Sequence, residues 1–196
     1  MTESGKITKS DLKKVFLRNL FGLQLGWNYE KMQGLGYCYV IMPVLRKLYP
    51  EKEELIKAMQ THLGFFNTTP ATSNLIVGAN VAIEEEFGQT DPMTVIGLKT
   101  GLMGPFAGIG DSIFIALYRA IVFSLAAYFA LAGNAAGLFI PLLCGLGVIW
   151  VRYEFTQVGY LQGKKIATGF ASSLKLLTEA ASILGVTVIG ALVASV

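Results

Sequence analysis

The side chains able to do chemistry fall into three short stretches. The first is 22–36, GLQLGWNYEKMQGLG, where Gln24, Trp27, Asn28, Tyr29, Glu30 and Gln33 alternate with glycines. The second is 62–70, HLGFFNTTP, which holds the one histidine, His62, followed by Phe66, Asn67, Thr68 and Thr69. The third is 97–111, a glycine-rich run bracketed by Lys99 and Asp111. Amides and hydroxyls beside aromatic rings suit a sugar, because rings cover its C–H faces and polar groups meet its hydroxyls. Ionisable groups among apolar residues are costly to desolvate, which makes His62, Lys99 and Asp111 functional candidates. His62 could accept a phosphoryl group, relay a proton or touch a sugar. Equally, it could be a core histidine bonded to a backbone carbonyl. Asn67, Thr68 and Thr69 serve a sugar site or a helix end equally well. Lys99 and Asp111 could pair with each other or with sugar groups, and Asp111 with Ser112 also suits the start of the next helix. Glu84, Glu85 and Glu86 read as a solvated helix face with one member able to pair with Lys99 or Arg119.

Several chemistries are excluded. One histidine and no nucleophile elbow leave no serine-hydrolase set. The GPFAGIG run lacks the GxxxxGK[ST] spacing and does not follow a strand, so it is not a phosphate loop. Cys38 and Cys144 lie in apolar runs without CxxC spacing, which argues against a disulfide framework. A metal site built on histidine needs more ligands than this chain offers. No cofactor is expected, and a net charge of +3 is too small to argue for nucleic acid.

These stretches must be held by apolar elements. Hydrophobic residues make up 53% of the 196 and charged residues 15%, where soluble domains carry about 25% charge. The mean hydropathy is +0.55, and the 22 glycines fit membrane helices. The first twenty residues carry Lys6, Lys9, Lys13, Lys14 and Arg18 without an apolar signal-peptide core, so insertion is expected to use internal segments. Ser10 and Asp11 suit a helix start. Leu12, Val15, Phe16, Leu20 and Leu23 then share one face, which predicts an interfacial amphipathic helix over 10–25. The polar aromatic stretch 22–36 predicts a bent or re-entrant element, leading into a helix over 35–48 that Pro43 should kink. Pro50, with Glu51, Glu53 and Glu54 behind it, opens a helix whose apolar face holds Leu55, Met59, His62 and Phe66. Residues 93–111 hold five glycines and Pro105, so a break is expected there, and broken backbone at membrane depth needs protein or a watery cavity around it.

Residues 113–131 carry one charge, Arg119, and 135–151 carry none. Spans need about 20 residues, so 113–151 predicts a transmembrane hairpin turning at Gly133 and Asn134. Arg152, Lys164, Lys165 and Lys175 follow it, which by the positive-inside rule places that segment and the N-terminus in the cytoplasm. Residues 182–196 are apolar or small to the last. The fold class is therefore an all-α integral membrane protein: an amphipathic surface helix, re-entrant or broken helices, and a transmembrane helical hairpin.

HLGFFNTTP (62–70), KTGLMGPFAGIGDS (99–112) and KSDLKKVFLRNLFGLQLGWNYEKMQGLGY (9–37) closely resemble the IID subunit of the mannose/fructose/sorbose family of the bacterial phosphoenolpyruvate-dependent sugar phosphotransferase system. The resemblance covers essentially the whole chain. It implies a single IID-type membrane domain over 1–196 in the bacterial cytoplasmic (inner) membrane. Family members usually continue for several tens of residues, so the usual C-terminal part is expected to be lacking. The resemblance further implies that IID and IIC form the permease as a trimer of IIC–IID pairs, with the sugar at their junction. IIA and IIB carry phosphoryl groups on their own histidines, and IIB phosphorylates the incoming hexose. IID is not a phosphoryl carrier, which argues against His62 as an acceptor. The expected substrate-binding or translocation residues are Gln24, Trp27, Asn28, Glu30, His62, Phe66, Asn67, Thr68, Lys99 and Asp111. The alternatives are a scaffold that stabilises IIC without touching sugar, and a membrane-embedded phosphoryl-transfer enzyme.

Overall fold

A computed structural model describes residues 7–88, 90–169, 183 and 187. Lys175 and most of the apolar stretch 182–196 lie outside the described residues, within which all regular elements are helical. The first helix, α1 (Lys9–Gly22), starts just before the expected point, because Thr8 rather than Ser10 caps it. The Thr8 hydroxyl accepts from the Asp11 N–H at 3.3 Å, and the Asp11 carboxylate accepts from the Thr8 N–H at 3.0 Å. This reciprocal capping box needs an acceptor three residues on, which Asp11 supplies. Lys47 Nζ reaches the same carboxylate at 2.7 Å. Burial pushes the Asp11 carboxyl up, but the hydrogen bonds from Lys47 and Thr8 outweigh it and hold the pKa at about 2.

The apolar face that periodicity assigns to a membrane surface is covered by protein. Leu12, Val15, Phe16 and Leu23 are buried, with α1 packed on the helices Gly34–Leu48, Pro70–Glu86 and Ala136–Gly169. Outward lie Phe21, 73% exposed, and Leu25, 82% exposed, with Leu17 beside them.

The second helix, α2 (Gly34–Leu48), contains Pro43 without ending there and buries Tyr37, Val40, Ile41, Val44 and Leu45 in the core. It is followed by α3 (Lys52–His62), an irregular stretch at 63–69, and α4 (Pro70–Glu86), with Pro70 in its first turn where a missing N–H costs nothing. The last described helix, α7 (Ala136–Gly169), lies against α4 along a seam of small residues. A Cβ on Gly78 would collide with the Thr156 carbonyl oxygen, and one on Gly159 with the Leu75 carbonyl oxygen. Small residues let two helix backbones approach this closely.

Between them runs a rod from Pro92 to Leu131: α5 (Pro92–Gly110), a π-helical stretch (Asp111–Tyr118) and α6 (Arg119–Leu131). The break expected over 97–111 does not occur: α5 runs as an α-helix through its glycines and Pro105, because a helix buried on one side by its neighbours tolerates them, and the departure from α geometry comes after it, in the π stretch. π segments leave backbone geometry altered locally and are frequent at functional sites. Val95, Leu98, Lys99 and Leu102 are buried, whereas most of 113–131 is exposed. Gly133, at φ 70°, turns the chain into α7, and the Asn134 side chain accepts from the Ala136 N–H at 2.9 Å. Pro92–Leu131 and Ala136–Lys165 each contain an 18-residue stretch of high mean hydropathy, 1.9 and 1.7 respectively, and both exceed the roughly 20 residues a crossing needs.

Candidate functional site

The polar stretches converge on two loops, 23–33 and 63–69, which are tied to each other. Gln33 is buried at the head of α2 and acts as the clasp. Its Nε2 donates to the Thr68 carbonyl at 2.8 Å, its Oε1 accepts from the Thr68 N–H at 3.1 Å, and its backbone N–H donates to the Phe66 carbonyl at 2.8 Å. Before it, Met32 is held at φ 51°, a left-handed value uncommon outside glycine, where its N–H closes a turn on the Asn28 carbonyl at 2.8 Å. Asn28 braces the same turn, its Oδ1 accepting from the Glu30 and Lys31 N–H groups at 3.1 and 2.9 Å. Local strain of this kind persists only where surroundings over-determine it. Here the second loop does so.

Beneath the loops lies a closed polar core. His62 Nε2 is 2.9 Å from Glu84 Oε2, with both residues almost fully buried. Tyr49 donates to the other Glu84 oxygen at 2.7 Å. The His62 ring stacks on Tyr37 at 5.9 Å, and Tyr37 packs on Phe66 at 4.5 Å. Tyr37 donates to Asn80 at 2.8 Å, and the Asn80 amide donates to the Val95 carbonyl at 2.8 Å. Burial pushes the Tyr37 phenol well above its ordinary range, so it remains a donor. Lys99 reaches in from α5, its Nζ 3.4 Å from the carbonyls of His62 and Gly64 and 5.1 Å from the Tyr37 ring centroid. Among the described residues no carboxylate pairs with it within 4.0 Å. The ammonium therefore holds the end of α3 and the second loop through their carbonyl dipoles.

The ten expected site residues thus separate into two layers. Gln24, Trp27, Asn28, Glu30, Asn67 and Asp111 are exposed; His62, Phe66, Thr68 and Lys99 are buried. Lys99 and Asp111 do not pair. Asp111 instead accepts from the Thr69 hydroxyl at 2.6 Å, and it lies inside the helical rod rather than at a helix start. Glu84 and Glu85 are not solvated as their sequence suggests. Glu84 faces His62, and Glu85 accepts from the Ile7 N–H at 2.9 Å and the Tyr160 hydroxyl at 2.6 Å. Burial raises the Glu85 carboxyl, but those bonds and Lys164 bring it below its usual range. Sequence reasoning missed Gln33 as the clasp, and it missed a second network in which Arg152 donates to Asn74 at 3.0 Å and to Asn19 at 2.8 Å. The one available signal was a charge immediately following seventeen uncharged residues. Among the described residues, no group of three His, Cys, Asp or Glu side chains could hold a metal ion.

Fold and site define a class: an all-helical integral membrane protein whose polar loops are clasped over a sealed core. The description "PTS system mannose/fructose/sorbose family IID component" matches residues 6–196, and the chain belongs to that family. It is 43% identical over 202 residues to the PTS system mannose-specific EIID component of Escherichia coli (strain K12), covering 98% of this chain and 70% of that protein. It is 40% identical over 199 residues to the fructose permease IID component of Bacillus subtilis (strain 168), covering 98% and 72%. Among solved structures it is similar, with a TM-score of 0.85 and 41% identity, to a chain in the cryo-EM structure of the mannose transporter ManYZ in complex with microcin E492. That similarity spans 96% of this chain and 70% of the other.

Proposed function

We propose that this chain is the IID half of a permease that, with a IIC subunit, carries a mannose-type hexose across the bacterial cytoplasmic membrane while IIB, charged by IIA, phosphorylates it. The observation that carries this reading is the exposed polar and aromatic rim on two clasped loops, in a chain whose relatives are sugar-specific IID components. Gln24, Trp27, Asn28, Glu30 and Asn67 stand outward, where they can meet sugar or IIC. His62, Phe66, Thr68 and Lys99 act below the rim as positioning residues, since buried groups reach a sugar only if the core opens. Asp111 ties the rod to the start of α4 through Thr69. The phosphoryl chemistry belongs to IIB on this reading, because His62 is enclosed against a carboxylate and has no open side for a phosphoryl donor.

Residues 1–196 form one IID-type unit, with 113–151 as a membrane hairpin and 10–25 near the surface through Leu17, Phe21 and Leu25. Arg152, Lys164 and Lys165 favour a cytoplasmic face for that end of α7, and with it a cytoplasmic N-terminus. IIC–IID pairs assemble as a trimer. The transporter complex named for the similar structure supports a membrane partner. The test is uptake of labelled mannose in cells lacking other hexose routes. Deleting this chain should abolish uptake that depends on IIA and IIB, and unchanged uptake would overturn the reading. Alanine at Asn28 and Asn67 should lower uptake with membrane assembly intact. Wild-type uptake in both would leave only a scaffold.

A further inference from the structure

The second network surrounds a cleft that shares only Gln24 with the residues of the sugar reading. Arg152 is fixed between α1, α4 and α7 by neutral partners: its Nε donates to Asn74 Oδ1 at 3.0 Å, and one Nη to Asn19 Oδ1 at 2.8 Å. Among the described residues no carboxylate lies within 4.0 Å of it, and its other terminal nitrogen, Nη1, has no hydrogen-bond partner. A guanidinium can only donate, so Asn19 must turn its oxygen towards Arg152. That leaves Asn19 Nδ2 pointing elsewhere, and this nitrogen is buried without a partner. Asn19 and Arg152 both line a cleft of about 310 Å³ with Gln24, Phe21, Leu25 and Pro70. A second cleft of about 170 Å³ also borders Arg152 and Pro70 and adds Arg119 and Tyr118. The site thus offers orphaned donors and two cations on one side and exposed apolar side chains on the other.

Depth identifies the occupant. Residues 135–151 are uncharged, and seventeen residues of helix cover about 25 Å, close to the roughly 30 Å hydrocarbon core. Arg152 is the first charge after them, at the level where phosphates of the headgroups lie. We propose that this cleft binds the phosphate of a phospholipid headgroup, taken by Arg152 and Asn19 Nδ2, with an acyl chain laid along Phe21 and Leu25. A soluble sugar phosphate presents the same anionic oxygens but has no chain for those two side chains, so the lipid is the better fit.

The test is native mass spectrometry of the full chain, extracted from membranes in mild detergent with its co-assembled subunits. The measured quantity is phosphatidylglycerol retained per chain. Arg152→Gln should lower occupancy about tenfold, as loss of a charge-assisted hydrogen bond implies; Arg152→Lys should restore part of it. Phe21→Ser, which lies outside the Arg152 network, should lower it severalfold, and millimolar glycerol phosphate should displace none. Equal retention in wild type and Arg152→Gln overturns the proposal. So does displacement by glycerol phosphate, which would mark a site for free phosphates. If Arg152→Gln does not assemble, Phe21→Ser and Arg152→Lys decide, and unchanged retention in both overturns it.

Discussion

Residues 34–102 and 113–151 draw on the same apolar residue types and end with opposite exposures. In the first region Tyr37, Ile41, Leu45, Ile76 and Leu98 are sealed inside the protein. In the second, Leu131 is 90% exposed, Trp150 is 64% exposed, and Ile121, Phe123 and Leu143 also stand outward. Monomeric soluble proteins rarely leave so much contiguous apolar surface bare. Hydrophobicity therefore says only that both regions avoid water; one is surrounded by this chain, the other by lipid or a subunit. The ionisable groups follow the same division. The sealed region encloses His62, Glu84 and Lys99, and each is held by hydrogen bonds. The hairpin up to residue 151 carries only Arg119, which stays exposed.

The largest expected effect breaks the sealed region at Glu84. Glu84→Ala strands His62 in the core, and removing one member of a buried pair costs about 3–5 kcal/mol. Thermal melting of the detergent-solubilised protein should show it, and a wild-type melt would mean the network does not hold these helices. A paired substitution sharpens the contrast. Phe66→Ala should cost about 3–5 kcal/mol by opening a core cavity. Phe123→Ala, at a residue 60% exposed, should stay within about 0.5 kcal/mol. Equal losses would refute the division between the two regions.

Asn67→Ala addresses the rim above the sealed core. It should leave melting unchanged and lower hexose uptake up to about tenfold, the equivalent of one lost hydrogen bond of ~1.4 kcal/mol. A smaller effect concerns Asp11. Its folded pKa of about 2 lies below the unfolded value of roughly 3.9. Its stabilisation is therefore complete above the unfolded value and is lost as pH falls towards the folded one. Asp11→Asn should lower stability by about 1 kcal/mol at neutral pH through the damaged cap, and the gap in melting temperature from wild type should close as pH approaches 2. A gap that persists there would remove the carboxylate as its cause.

Much of this was legible in the residues themselves. The shortage of charge and the two long apolar runs specify a membrane protein, Gly133 and Asn134 specify the turn between those runs, and the three long motifs specify the family. Pattern reports which sides of a helix avoid water and where backbone must bend, because those properties depend on near neighbours. The tertiary structure decided what each side meets. Periodicity could not tell lipid from protein for Leu12, Val15 and Phe16, since both media are apolar. The run Glu84, Glu85, Glu86 looks solvated until His62, 22 residues away, and Tyr49, 35 away, are brought to Glu84. Gln33 is one amide among many until Thr68 folds against it. Side chains that could do chemistry were visible from the start, but their division into an exposed rim and a sealed support depends on contacts between distant segments, which only packing creates.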